Sequence, residues 1–130
     1  MLPASRVPSI LLRGAFVLAL LLGLGFWFFG LSPDGPVGLV HMLLGLTVVG
    51  TLWYLGLAQA QRGGSLGLTL GTFFLGLVVA IFGLAQTALK SALHGEVVVN
   101  IIHLLLGLAA IGLGEMCAAR IKRATTPKVA

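Results

Sequence analysis

Four stretches of the chain run for about 20 residues each with scarcely a polar side chain, which is the length a helix needs to cross a bilayer. They cover roughly residues 10–30, 37–58, 66–88 and 97–119. Between them lie short segments that cannot continue a helix or stay in hydrocarbon. Ser32-Pro33-Asp34-Gly35-Pro36 is a turn with two prolines. Gly63-Gly64-Ser65 is a flexible turn, and Lys90-Ser91-Ala92-Leu93-His94-Gly95-Glu96 is a polar connection. The first stretch follows Arg6 and Arg13 as a signal peptide would, but its apolar part is too long and lacks a small-residue cleavage site. It is expected to be a span, closing in Phe26-Trp27-Phe28-Phe29 as an aromatic belt at the interface.

Composition agrees with the pattern. Of 130 residues, 58% are hydrophobic and 8% charged, where a soluble domain would carry about a quarter charged residues. The expected fold is therefore all-α, a transmembrane four-helix bundle forming one membrane domain over residues 1–130. The single cysteine, Cys117, excludes an internal disulfide and a cysteine-rich cluster, and near the inner face it is expected to be inert packing. The net charge of +5 does not point to nucleic acid, because the basic residues flank the spans instead of forming a patch. Arg6, Arg13, Arg62, Arg120, Lys122, Arg123 and Lys128 fall on one side and only Lys90 on the other. The positive-inside rule then sets both termini in the cytoplasm, as in a bacterial inner-membrane protein.

The hydrophobic pattern also repeats. Residues 39–50 and 101–112 share six of twelve identities, among them His41/His103, Gly45/Gly107 and Gly50/Gly112. The repeating unit is a helical hairpin, residues 10–62 and then 66–123, and two spans per unit make the copies parallel. Both histidines sit near the start of their span, in the outer third at matching depth. If the spans pack with pseudo-two-fold symmetry, the two imidazoles face each other across the centre. An imidazole inside a bilayer is costly and usually has a task. Two tasks are open here: interhelical hydrogen bonding, or ligation of one shared centre.

Gly45 and Gly107 follow their histidines by four residues, on the same helix face one turn further in. Gly38 precedes His41 by a turn where the other copy has Asn100, and Gly25 and Gly83 of the neighbouring spans lie at comparable depth. Glycine also serves plain close packing in membrane helices. The histidine–glycine pairs and the four-span layout resemble the small integral-membrane b-type cytochromes. That resemblance implies one non-covalent haem b, bis-histidine ligation through His41 and His103, and glycines Gly45, Gly107, Gly38, Gly25 and Gly83 at the macrocycle's edge. It further implies one-electron transfer more than catalysis, with quinol and an outer-face carrier as redox partners, and a homodimer or larger membrane complex as the assembly. Two departures stand out: larger respiratory cytochromes carry two histidines per ligand helix, and no Cys-x-x-Cys-His occurs for covalent attachment.

A zinc site needs four ligands and the pair supplies two; copper is similarly short of ligands. Met42 points about 100° away on the helix, and His94 is expected to be solvated in its loop. Glu115 is expected to snorkel or to pair with Arg62 or Arg120 near the inner boundary, the alternative being a proton or quinone role. Asp34 and Glu96 flank the helix N-termini that favour them, and haem propionates would prefer those N-termini and Lys90. The rival function, from a different class, is a non-catalytic structural or assembly subunit whose histidines join helices by hydrogen bonds. A small transporter is a third, weakened by the lack of a broken helix or a charged site at mid-membrane.

Overall fold

A computed structural model describes residues 5–127; Lys128, one of the basic residues counted above, lies outside them. The described residues form five α-helices and no strand: α1 (Arg6–Phe28), α2 (Pro36–Ala60), α3 (Leu66–Leu84), α4 (Gln86–Ala92) and α5 (Glu96–Thr125). α1, α2, α3 and α5 are each long and apolar enough to cross a membrane, the mark of an integral membrane protein.

The helix boundaries differ from the apolar stretches for local reasons. Pro36 occupies the first turn of α2, where its missing N–H costs nothing, so the helix starts at the proline. The third span is shorter than the apolar run: α3 stops at Leu84, and the separate short helix α4 takes up residues once assigned to the span. α5 runs on past the apolar stretch to Thr125, with Lys122 and Arg123 in its last turn, where cations offset the negative helix end. Two hydroxyls tie back the end of α5: that of Thr125 donates to the Ile121 carbonyl at 3.0 Å and that of Thr126 to the Lys122 carbonyl at 2.7 Å.

α2 and α5 pack on each other and each packs on both α1 and α3, while α1 and α3 do not meet. Successive long helices are antiparallel. The start of α1, the α2–α3 turn and the end of α5 therefore share one end, called proximal here, and the α1–α2 and α3–α5 connections share the distal end. Lipid tails are as apolar as leucine, so close fit and polar contacts hold such helices together. The proximal half has both. A Cβ on Gly114 would collide with Leu12, one on Gly56 with Thr72, and one on Gly76 with the Trp53 ring. The α2–α3 turn closes around Gln59, which is 1% exposed. Its amide Nε2 donates to the Ser65 carbonyl at 2.7 Å and to Thr69 Oγ1 at 2.9 Å, and its Oε1 accepts from the Ser65 N–H at 3.0 Å. Gly63, with φ of +79°, makes the reversal that a side chain would resist.

Fully buried apolar side chains concentrate in this half: Leu12, Leu52, Leu55, Cys117 and Ile121 are each 0% exposed. Toward the distal end burial thins. No residue of α2 before Val48 is buried, and in α5 only Val99 is buried before Ala110.

Candidate cofactor site

The sparse distal half contains His41 and His103. His41 lies five residues after Pro36 and His103 seven after Glu96. That sets them about 8 and 11 Å from the distal ends of their helices at 1.5 Å per residue. Both are half-buried. Their rings face one another with centroids 6.2 Å apart and planes inclined at 56°. In each ring Nδ1 is buried and has no hydrogen-bond partner, which in a native interior calls for an explanation.

Neighbouring helices shape the space for each ring. A Cβ on Gly23 of α1 would sit 3.3 Å from His41 Cε1, and a Cβ on Gly83 of α3 would sit 3.5 Å from His103 Cε1. Each imidazole thus lies against a glycine of the first helix of its own hairpin. Phe26 meets His41 edge-on with centroids 5.3 Å apart, and Phe82 stacks on His103 at 6.2 Å with planes 10° apart.

The other glycines singled out in the sequence divide. Nothing lies within 4 Å of the Cβ position of Gly45, and at Gly107 that position is 3.5 Å from Phe16 Cε2. Gly25 has another partner: the chain takes a left-handed backbone at Gly30, the Leu31 N–H returns to the Gly25 carbonyl at 3.1 Å, and the Leu31 side chain lies over Gly25. A Cβ on Gly38 would collide with the Pro33 carbonyl, so this glycine admits the α1–α2 connection. Gly23 takes the place on α1 that Gly25 was expected to hold. Phe26, expected in the interfacial belt, turns inward, while Phe29 is 81% exposed. Gly23 and Phe26 are three apart on one helix face, a spacing visible in the sequence but masked by the run of aromatics around Trp27.

His94 is exposed in the turn before α5, at φ of +50°, and Met42 is 38% exposed. Lys90 Nζ lies 3.8 Å from Glu96 Oε1 across the α4–α5 connection. Glu115 pairs with Arg13, not with Arg62 or Arg120: Arg13 Nε and Nη2 donate to its two carboxylate oxygens at 2.6 and 2.7 Å. Helix register explains the difference, because the contact of Leu12 with Gly114 brings α1 beside that turn of α5.

The donor set discriminates between metals. Among the described residues no group of three or more His, Cys, Asp or Glu side chains could hold a metal ion, and His41 with His103 would leave a zinc site two ligands short. An iron already held by four macrocycle nitrogens needs only two more ligands. His41 and His103, whose ring centroids lie 6.2 Å apart, are the two side chains that could supply them. In comparisons with known proteins, the chain matches no family model, no curated protein and no solved structure.

Proposed function

We propose that the chain is a membrane b-type cytochrome-like protein that binds one haem b between His41 and His103 and transfers single electrons. The observation that carries this reading is the pair of facing imidazoles, 6.2 Å between centroids, each with a buried Nδ1 that has no partner. His41 and His103 would hold the iron from α2 and α5. Bound in that way, haem supplies one-electron exchange, with no open iron position for oxygen chemistry. Gly45 and Gly107 leave backbone room one turn further in, and Gly23 and Gly83 let α1 and α3 approach the rings. Lys90 and the N-terminal ends of α2 and α5 offer positive charge at the distal end for the propionates.

Two tandem hairpins, α1–α2 and α3–α5, would form the halves of the four-helix bundle. The matched seating of His41 on Gly23 and His103 on Gly83 supports that symmetry. Among the described residues six of the seven basic side chains fall at the proximal end or flank it and only Lys90 lies at the distal end, which supports a cytoplasmic placement of both termini in a bacterial inner membrane. Quinol and an outer-face carrier are then the fitting redox partners, in a homodimer or larger membrane complex.

One observation favours the structural-subunit reading instead: both rings rest against glycine and phenylalanine, as packing groups would. The visible spectrum of protein purified from haem-replete cells separates the two. The cytochrome reading expects a Soret band with α and β bands that sharpen on reduction; a featureless spectrum leaves the histidines as packing groups. With haem present, a membrane-impermeant reductant added to sealed right-side-out vesicles without quinol should reduce it rapidly, and slowly in inverted vesicles. The reverse asymmetry would overturn the orientation or the ligand assignment.

A further inference from the structure

At the proximal end, away from the histidines, Arg62, Arg120 and Arg123 line a pocket of about 210 Å³ that Gly63 and Gly64 help to close. Among the described residues no carboxylate pairs with these guanidinium groups. The chain has three acidic side chains: Glu115 is held by Arg13, Glu96 lies beside Lys90, and Asp34 is in the α1–α2 connection at the opposite end. Arg62 is fixed over the end of α2 by donating Nη1 to the Ala58 carbonyl at 3.0 Å, which leaves its remaining N–H groups free of that bond. Arg120 and Arg123 are three apart on α5 and so share a face. The α2 and α5 ends contribute roughly half a negative charge each and the nearby start of α3 half a positive one. Three full positive charges outweigh that balance.

Planar guanidinium forks suit phosphate oxygens. The pocket lies where α2 leaves its apolar run, at the level of a lipid headgroup when the helices span a bilayer. We propose that this pocket binds the phosphate of an anionic phospholipid. A lipid phosphate and free inorganic phosphate share the recognising chemistry, but a lipid is already held at this depth.

The test uses the full-length protein in detergent, titrated with phosphatidylglycerol, phosphatidylcholine or inorganic phosphate and read by native mass spectrometry. Phosphatidylglycerol should be retained selectively. Arg62→Gln, Arg120→Gln or Arg123→Gln should each weaken retention about fivefold, and the triple variant roughly a hundredfold, from the usual contribution of one basic side chain near an anionic surface. Arg6→Gln, at the same end but outside the pocket, should leave retention unchanged. If the triple variant is not recovered folded, the single substitutions carry the comparison. Wild-type retention in the pocket variants, or an equal loss in Arg6→Gln, would overturn the proposal. Binding of inorganic phosphate without phosphatidylglycerol would overturn the lipid assignment. None of these measurements requires haem, so they stand apart from the cytochrome reading.

Discussion

Near the proximal end, Leu12 fills the notch at Gly114 and Thr72 the notch at Gly56, so that helix meets helix with little between. Near the distal end α1 meets α2 through the His41 ring lying on Gly23, and α3 meets α5 through His103 on Gly83. Both halves use glycine, but for different fillings. In one the filler is a leucine, a threonine bonded to the Thr69 carbonyl, or the Trp53 indole, whose buried Nε1 also has no partner. In the other it is an imidazole whose buried Nδ1 has no partner. Stability in a lipid environment comes from close fit, so the proximal half can hold the helices together while the distal half spends part of its interface on two polar rings. An unsatisfied buried nitrogen is a cost, one that both halves carry and that the distal half carries twice, on two rings that face each other.

The sharpest way to break that contrast is to remove the rings. His41→Ala or His103→Ala should abolish a low-spin bis-histidine spectrum completely, with at most a five-coordinate remnant. Stability of the haem-free protein should change by no more than about 1 kcal/mol, because neither Nδ1 loses a hydrogen bond. Absorption spectra and denaturant titration of the same preparations check both halves of the expectation. An unchanged low-spin spectrum in either variant removes that histidine from the ligand set, and His94 would be the next candidate.

The spans and the meeting of the two histidines were legible because both follow from long-range pattern: apolar length in one case, an internal repeat in the other. Helix register was not. Hydropathy says that α1 and α5 cross the membrane but not which turns touch, so Glu115 was matched to nearby arginines when its partner is Arg13. The same blindness chose Gly25 over Gly23, two residues away on a different face, and left Phe26 in a surface belt. Gly38 showed the opposite failure. Its place one turn before His41 looked like part of the site, while its actual neighbour, the Pro33 carbonyl, depends on a loop path that no periodicity describes. Where α3 ends was hidden too, because no proline or glycine follows Leu84 to mark the break before α4.

Truncating one leucine in each half measures the same contrast energetically. Leu52 is 0% exposed, and Leu43, about two and a half turns nearer the distal end of the same helix, is 52% exposed. Leu52→Ala should cost about 2–4 kcal/mol, as a core cavity does, and Leu43→Ala should stay within about 0.5 kcal/mol. Unfolding with sodium dodecyl sulfate in mixed micelles is the measurement. Equal losses would mean that the distal half is as tightly fitted as the proximal one, and the division drawn here would fail.

The smallest effect belongs to the polar rim of the distal end. Lys90 and Glu96 approach to 3.8 Å, with the Glu96 side chain 72% exposed and that of Lys90 32% exposed, so water and salt reach the pair. Exposed ion pairs of this kind contribute about 0–1 kcal/mol and fade as ionic strength rises. Glu96 also sits in the first turn of α5, where a carboxylate is favoured by the helix end. Glu96→Gln loses the pair and a favoured place at the start of the 30-residue α5, and Lys90→Gln loses the pair and a weaker effect at the end of the seven-residue α4. The two substitutions should therefore lower the melting temperature slightly and unequally, Glu96→Gln more, with the gap narrowing at high salt. Lys90→Gln carries a second expectation that Glu96→Gln does not share. If Lys90 attracts haem propionates, its loss should weaken haem retention, whereas losing Glu96 removes a competing negative charge and should preserve it. Opposite signs for haem retention beside like signs for melting would tie this rim to the cofactor; parallel changes in both would leave it a structural clasp between α4 and α5.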